Sequence, residues 1–511
     1  MNKEREMKKG AKMNWKPGAL LFGAAFMFFL GGGDRPLELA IWVAPLLLLR
    51  FFMIQKPGKA YWLAYPVITG ALFLAVRGMT PLPLPIFAAS MAISGLVLLL
   101  PYLLHRVLFQ RLPFVLHTLL FPVLMVTLDY LSSMGGWGSW GHVVYGSGNL
   151  MVLQLTSVTG IWGVGFLIAW TAAVGNSLWA RDGNRINNGL MITWGSVMLV
   201  ILLFGFFRLK MTAARQSISV AGVMLEQEQQ KAFESALLPL VADSTVTREA
   251  AAQVRTLSLT LADSLIAKTD RIAKLDVELI LMNEAAVPVF QSDADSLVDR
   301  FRAIARTRRV TLGATMAVVN DDLSMGMKQA IQNRLLLISS TGEVMWQYAK
   351  SVLVPGPETY MSQPGDSTIQ VAELTPGRIS GAICYEMDFP AYIRQTSQLK
   401  SELFLVPAND WVHIKRTHAK MARVRAIENG TALFRVVSRG LSQAVDPMGR
   451  VLAEWDYFED EGVFKTDLAI GNVRTVYGII GDGFALLCVI LALFLSGWSV
   501  VNNISARRKS A

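Results

Sequence analysis

Long apolar blocks crowd the two ends of the chain, and a mixed pattern of short apolar runs fills the middle. Seven apolar stretches run roughly over Pro17–Gly33, Pro36–Ile54, Ala60–Val76, Leu82–Leu104, Pro113–Leu131, Leu153–Ala180 and Gly189–Phe207. An eighth covers roughly Val476–Val501. A bilayer core takes about 20 mostly apolar residues per helix, so the pattern predicts a multi-pass α-helical membrane domain. Pro17–Gly33 and Ala60–Val76 are the shortest stretches.

From about residue 215 to 470 the pattern alternates between strand-like and helix-like runs. Ser217–Leu225, Val277–Met282, Val310–Val318, Arg378–Cys384 and Leu403–Pro407 read as buried strands. Arg334–Ser339 and Val344–Tyr348 flank Ser340-Thr341-Gly342-Glu343, a hairpin turn. Thr247–Lys268 carries Val254, Leu257, Leu261 and Leu265 at helical spacing, and Ser292–Arg308 is helix-like. Thr417–Asn429 reads as a helix stopped by Gly430. Two more strands follow, with Asp446-Pro447-Met448-Gly449 as the turn between them. The order predicts an α/β layered domain with strands inside and helices outside. The expected division is a membrane domain of about seven transmembrane helices over 1–210, a catalytic domain over 211–472, and a C-terminal transmembrane helix with a basic cytoplasmic tail over 473–511.

Composition agrees with the membrane reading: 53% of the 511 residues are hydrophobic and the mean hydropathy is +0.40. The basic residues then orient it. Lys3, Arg5, Lys8, Lys9, Lys12 and Lys16 precede the first stretch. Lys56 and Lys59, Arg106 and Arg111, Arg181 and Arg185 sit in alternate loops, and Arg507, Arg508 and Lys509 end the chain. The loop from Ser132 to Gly148 holds no Lys, Arg, Asp or Glu. Positive loops stay inside, so both termini are expected in the cytoplasm and the middle domain outside. A cleaved signal peptide is the alternative reading of the N-terminus. The net charge of +10 is dispersed rather than gathered on one segment, which argues against a nucleic-acid partner.

Cys488 lies in the last apolar stretch, so Cys384 is the only thiol of the middle domain. It ends a strand-like run ahead of a helix start at Asp388-Phe389-Pro390. Glu284 follows Val277–Met282, and Lys350 follows Val344–Tyr348. Together they suit acyl transfer. A helix N-terminus favours thiolate, the Tyr385 N–H faces an oxyanion, Glu284 takes a proton, and Lys350 is a fixed cation. Singly, each also fits an ordinary role: a core thiol, a helix-cap partner, a solvated strand end. His413 and His418 are five apart, which does not place them on one helical face; a loop or helix surface is expected for both. Asp129 and His117 lie in or near an apolar stretch, where a charge flags function. Trp137 and Trp140 suit an interfacial aromatic belt, or a loop that gates lipid access.

Three motifs resemble the nitrilase, or carbon–nitrogen hydrolase, superfamily. They are Tyr348-x-Lys350-x-x-Leu353-Val354-Pro355, Ile383-Cys384-Tyr385-Glu386 with Phe389-Pro390, and Arg423-x-Arg425-Ala426-Ile427-Glu428-Asn429-Gly430. Gln154–Gly163, and Arg474-Thr475-Val476-Tyr477 with Gly481-Asp482, resemble the family of bacterial apolipoprotein N-acyltransferases. The resemblance implies an αββα sandwich, a catalytic Glu284, Lys350 and Cys384, and supporting roles for Glu358, Tyr385, Glu386 and Asn409. It implies no cofactor and no metal. The implied acyl donor is a membrane phospholipid and the acceptor a diacylated apolipoprotein, handled by a monomer in the bacterial inner membrane with its catalytic domain on the periplasmic or outer side.

The chain also departs from the family pattern. Met282-Asn283-Glu284 stands where Trp-Pro-Glu is usual, and Gly356-Pro357-Glu358-Thr359-Tyr360 where Phe-Gly-Glu-Tyr is usual. The Lys350–Cys384 segment is shorter, Glu226-Gln227 has no tryptophan nearby, and Asn409-Asp410-Trp411 lacks a small residue before tryptophan. An amidase using water as acceptor is therefore the second expectation, and a non-enzymatic transporter or scaffold the third.

Overall fold

A computed structural model describes residues 17–109, 112–180, 185–210, 216–229, 231, 232, 235, 248–323 and 326–510. The basic run before Pro17, Arg111 and Arg181 lie outside the described residues. The chain divides into two compact units: Met1–Asp129, Gly165–Met198 and Ala485–Ala511 form one, Tyr130–Val164 and Leu199–Phe484 the other.

Each of the eight apolar stretches overlaps a helix: Pro17–Gly31, Glu38–Ile54, Pro57–Ala75, Leu84–Leu108, Phe114–Ser133, Ile161–Trp179, Arg185–Lys210 and Gly483–Ser510. Among the described residues five helices are long and apolar enough to cross a membrane, beginning at Leu84, Leu116, Ile161, Asn188 and Gly483. Phe22, Leu39, Trp62, Ile93, Ile192 and Leu493 point outward and exposed, as side chains facing lipid do. The sixth stretch is broken rather than continuous. Leu150–Leu153 and Thr156–Thr159 are single turns, separated from Ile161–Trp179 by Gly160 at φ +65°. Thr156 and Ser157 hydroxyls bond the carbonyls three residues back, at 2.8 and 2.7 Å, and compete with the helix ladder.

The second unit is built on stacked sheets. Its strands are β1 (Gln216–Val223), β2 (Leu279–Met282), β3 (Pro288–Phe290), β4 (Thr311–Val319), β5 (Ile331–Ile338) and β6 (Val344–Ala349), then β7 (Val371–Leu374), β8 (Gly377–Gly381), β9 (Leu403–Asn409), β10 (Ala432–Ser438), β11 (Leu441–Val445), β12 (Val451–Asp456) and β13 (Lys465–Ile470). One sheet has the order β13-β1-β2-β4-β5-β6, with β3 beside β4; the other has β12-β11-β10-β9-β8-β7. The sequence pattern resolved two strands after Gly430; four form, because Arg439-Gly440 and the Tyr457–Phe464 loop turn the chain twice more.

Alternation along the strands explains the layers. Leu279 and Leu281 of β2, and Leu335 and Leu337 of β5, face Leu403, Leu405 and Phe434 of the other sheet. Ile280, Leu312 and Ala314 face the other way, under helices Arg248–Ala273 and Gln291–Arg308. Helix Lys415–Asn429 covers the second sheet through Ala422 and Ala426 against Phe404, Val406 and Leu433. The result is the αββα sandwich. Gly430, at φ +62°, ends that helix; a Cβ there would lie 1.8 Å from the Val473 carbonyl oxygen, so only glycine fits.

Candidate active site

Parallel strands deliver their C-terminal ends to one place. Glu284 follows β2, Lys350 follows β6, Cys384 lies just past β8, and Asn409 ends β9. The Glu284 N–H reaches the Ala408 carbonyl at 3.4 Å, joining the two sheets beside the site.

Lys350 lies on the inward face after Trp346 and Tyr348, and is 2% exposed. Its Nζ donates to Glu284 Oε1 at 2.8 Å and to Glu358 Oε1 at 2.7 Å. Burial works against the ammonium, but the two carboxylates outweigh it and hold Lys350 well above its ordinary range. Glu284 Oε1 also accepts from Asn333 Nδ2 at 2.8 Å. Glu358, on the short helix Pro357–Met361, keeps its other oxygen on the Val354 N–H at 2.7 Å.

Cys384 sits in the left-handed region at φ +49°. Such a conformation costs a non-glycine residue about 1–3 kcal/mol and persists only when its surroundings hold it. Cys384–Asp388 is a single 3-10 turn, and the helix after it, Pro390–Ile393, is four residues long. Neither is an extended helix, so the expected thiolate-favouring dipole of a helix starting at this turn is not there. Burial pushes the thiol well up, Glu284 adds to this, and Lys350 opposes it. The Sγ–H points at the Asn409 carbonyl, 3.8 Å away.

Glu386 brackets the near end of this turn. Its Oε2 accepts the Ile383 N–H at 2.6 Å; its Oε1 accepts the Ser351 N–H at 2.7 Å and the Tyr348 hydroxyl at 2.5 Å. Burial raises this carboxyl to about 7 against the pull of those donors. The Tyr385 hydroxyl donates to the Gly136 carbonyl at 2.6 Å. The Asn409 side chain faces away from sulfur, accepting from Ser438 Oγ at 2.9 Å and Arg439 Nη2 at 3.1 Å.

A second charged cluster lies near Cys384, which the Asp410 charge reaches. Asp410 Oδ1 meets His418 Nδ1 at 2.8 Å, and Asp410 Oδ2 accepts from Arg435 Nη2 at 2.9 Å. His418 Nε2 stands 4.0 Å from Asp388 Oδ1. His418 is thus buried in an ionic cluster, not on a helix surface; His413 alone is exposed. The helix Lys415–Asn429 turns His418 and Arg425 inward on one face. Trp140 meets His418 edge-on, with ring centroids 5.5 Å apart, so it packs on protein rather than standing free in a belt.

Sequence reasoning missed Asn333, His418 and Arg435. Asn333 had a signal: it shares the inward register of β5 with Leu335 and Leu337, where period two calls for an apolar side chain. His418 had a weaker one, at helical spacing from Ala422 and Ala426.

The chain matches the family described as apolipoprotein N-acyltransferase N-terminal domain over residues 11–174, and the carbon-nitrogen hydrolase family over residues 247–477. It is 26% identical over 483 residues to an apolipoprotein N-acyltransferase of Geobacter metallireducens, covering 89% of this chain and 85% of that one. With that of Bradyrhizobium diazoefficiens it shares 25% over 390 residues, 70% of this chain and 68% of the other. Similar solved structures include an amidase from Nesterenkonia sp., 20% identical, covering 52% of this chain and 93% of that chain with a TM-score of 0.39. Another is Saccharomyces cerevisiae Nit3, a member of branch 10 of the nitrilase superfamily, 18% identical, covering 53% of this chain and 96% of that chain with a TM-score of 0.38. One family match lies over apolar helices and the other over the stacked sheets around Cys384, and the chain belongs to the apolipoprotein N-acyltransferase family, a membrane-embedded branch of the carbon–nitrogen hydrolases.

Proposed function

We propose that this protein transfers a fatty acyl chain from a membrane phospholipid to the N-terminal amine of a diacylglyceryl-cysteine lipoprotein, through a thioester on Cys384. The observation that carries the reading is the buried Glu284–Lys350 pair, joined to the partly exposed Glu358, with the charges of Glu284 and Lys350 acting on Cys384. A single cation between two carboxylates leaves the site with excess negative charge. A thiolate is costly there unless its proton goes to Glu284, in which case the total charge of the site does not change.

In the first step Glu284 takes the Sγ proton and sulfur attacks the ester carbonyl carbon. The carbonyl electron pair moves to oxygen, where Lys350 and the Tyr385 N–H stabilise it. Collapse breaks the ester C–O bond. The lysophospholipid alkoxide leaves with the proton from Glu284, and the acyl chain stays on sulfur. In the second step the lipoprotein amine attacks the thioester, Glu284 accepts the amine proton, and the amide forms as sulfur leaves and regains a proton. Glu386 and Asn409 shape the nucleophile turn, and Glu358 holds Lys350. The catalytic portion, over 211–472, works on the outer side of the cytoplasmic membrane, so a water-insoluble donor reaches the thiol from the bilayer. The protein acts as a monomer.

The test is mass spectrometry of the Cys384 peptide after incubation with labelled phospholipid, with Cys384→Ser as control. Acyl mass on Cys384, discharged by a diacylated lipopeptide, is the expected result. Discharge by water alone, with turnover of small amides, would replace this reading with the amidase one, which the shortened Lys350–Cys384 segment motivates. No acyl mass on Cys384 would end both.

A further inference from the structure

The nucleophile turn is held at two ends, and only the near end is explained by Glu386. Its far end, Asp388, is held by a segment 249 residues earlier in the chain. The Asp388 carbonyl accepts from both the Ser139 N–H and the Ser139 hydroxyl, each at 2.7 Å. Gly138, at φ +54°, lets the backbones approach; a Cβ there would lie 2.5 Å from the same carbonyl oxygen. Two residues earlier, the Gly136 carbonyl takes the Tyr385 hydroxyl.

Arg425 has only donors and bonds the Tyr145 hydroxyl oxygen. The Ser139 hydroxyl spends its one proton on Asp388, so the 2.6 Å contact between Tyr145 and Ser139 must run from the Tyr145 O–H to Ser139 Oγ. The chain of donors is therefore one-way: Arg425, Tyr145, Ser139, then the Asp388 carbonyl. Glu428, paired with Arg425, anchors its start and also accepts the Ile161 N–H at 2.8 Å. All of these groups except the Gly136 carbonyl belong to buried residues.

We infer that Gly136–Ser139 is a positioning strap for the nucleophile, with Ser139 as the positioning residue: by fixing the far end of the Cys384–Asp388 turn it sets where Sγ stands. Cys384 occupies a left-handed conformation that relaxes if either end of the turn is released. A strap from the segment before Ile161 supplies the second restraint. Ser139 touches no reacting atom; it acts through Asp388 and the turn.

This inference rests on Cys384 being the nucleophile, and the test separates the two. Ser139→Ala removes the hydroxyl link and leaves the backbone one. Tyr145→Phe leaves Ser139 in place and removes the proton that orients it. In the full-length protein in detergent, the rate of Cys384 alkylation by iodoacetamide is followed across the neutral to alkaline range. Acyl transfer from phospholipid to a lipopeptide is measured in parallel. Ser139→Ala is expected to lower kcat about tenfold, to leave KM for phospholipid within about twofold, and to change the alkylation rate profile. Tyr145→Phe is expected to lower kcat about fivefold. Should Ser139→Ala fail to fold, Tyr145→Phe decides alone. Unchanged kcat and alkylation in folded variants, or a loss wholly in KM, overturns the strap. Acyl transfer that survives Cys384→Ser overturns the nucleophile assignment instead, whatever the alkylation rates show.

Discussion

Two buried charge clusters flank Cys384, and they are built differently. On the β2 and β6 side, one cation, Lys350, serves two carboxylates, Glu284 and Glu358. On the β9 and β10 side, two carboxylates, Asp388 and Asp410, share His418 and Arg435. The first cluster has excess negative charge and one half-open edge, the Glu358 side chain at 21% exposure. The second is closed, and its charges can balance. A cluster that cannot neutralise itself internally is poised to trade a proton with its neighbour; a balanced one is suited to holding backbone in place. Under the proposed function, the difference would assign chemistry to the first cluster and positioning to the second.

The sharpest way to break that distinction is Glu284→Gln. Acyl transfer should fall by about a hundred- to ten-thousandfold, the range for losing a general base. Yet Glu284 raises the Cys384 thiol, so alkylation of Cys384 at fixed pH should become faster. Slower transfer together with slower alkylation would mean that Glu284 shapes the pocket and does not move the proton.

Asp410→Asn should act mainly on stability. It strips His418 and Arg435 of their shared carboxylate, and breaking a buried pair costs about 3–5 kcal/mol. Chemical denaturation of the solubilised protein would read this as a lower midpoint. Acyl transfer by the protein that remains folded should drop less than in Glu284→Gln. A loss of rate as deep as that of Glu284→Gln, at unchanged stability, would move Asp410 into the reactive cluster.

The smallest effect expected is on pH. Burial raises the Asp388 carboxyl to about 7 from an ordinary value near 3.8. Between those values the unfolded chain has released a proton that the folded one keeps, so stability falls as pH rises through the window. Glu386 and Glu428, each raised to about 7 by burial, act in the same direction. His418 is held up by Asp410 against its burial, so its contribution is also full in acid and lost as pH rises through its raised value. Asp410, held down chiefly by Arg435 despite burial, opposes them only on strong acidification. The melting temperature should therefore be higher at mildly acidic pH than at mildly alkaline pH, and Asp388→Asn should flatten the decline. A melting temperature that rises over the same range contradicts the burial assignment.

Much of the fold was legible. Each of the eight apolar stretches overlaps a helix because sustained apolarity is written in the residues, and among the described residues five of these helices have the length and apolarity a bilayer demands. The strands showed as short apolar runs bounded by turn residues, and Gly430 stopped its helix as a left-handed cap should. The positions of Glu284, Lys350 and Cys384 at strand ends were legible too, since each closes an apolar run. His418 was misread, because helical spacing alone does not say which face another sheet will cover. Ser139 carried no signal beyond a glycine-rich loop, since its partner lies 249 residues away.

The sequence by itself determined which segments are apolar helices, which are strands, and which residues carry reactive groups, because these follow from local periodicity and side-chain chemistry. Only the tertiary structure decided that Lys350 lies between two carboxylates, that the turn holding Cys384 is a single strained 3-10 turn, and that Ser139 fastens its far end. The physical reason is that burial and pairing arise where sheets stack and distant loops meet, and these set both the cost of a charge and the direction of a hydrogen bond.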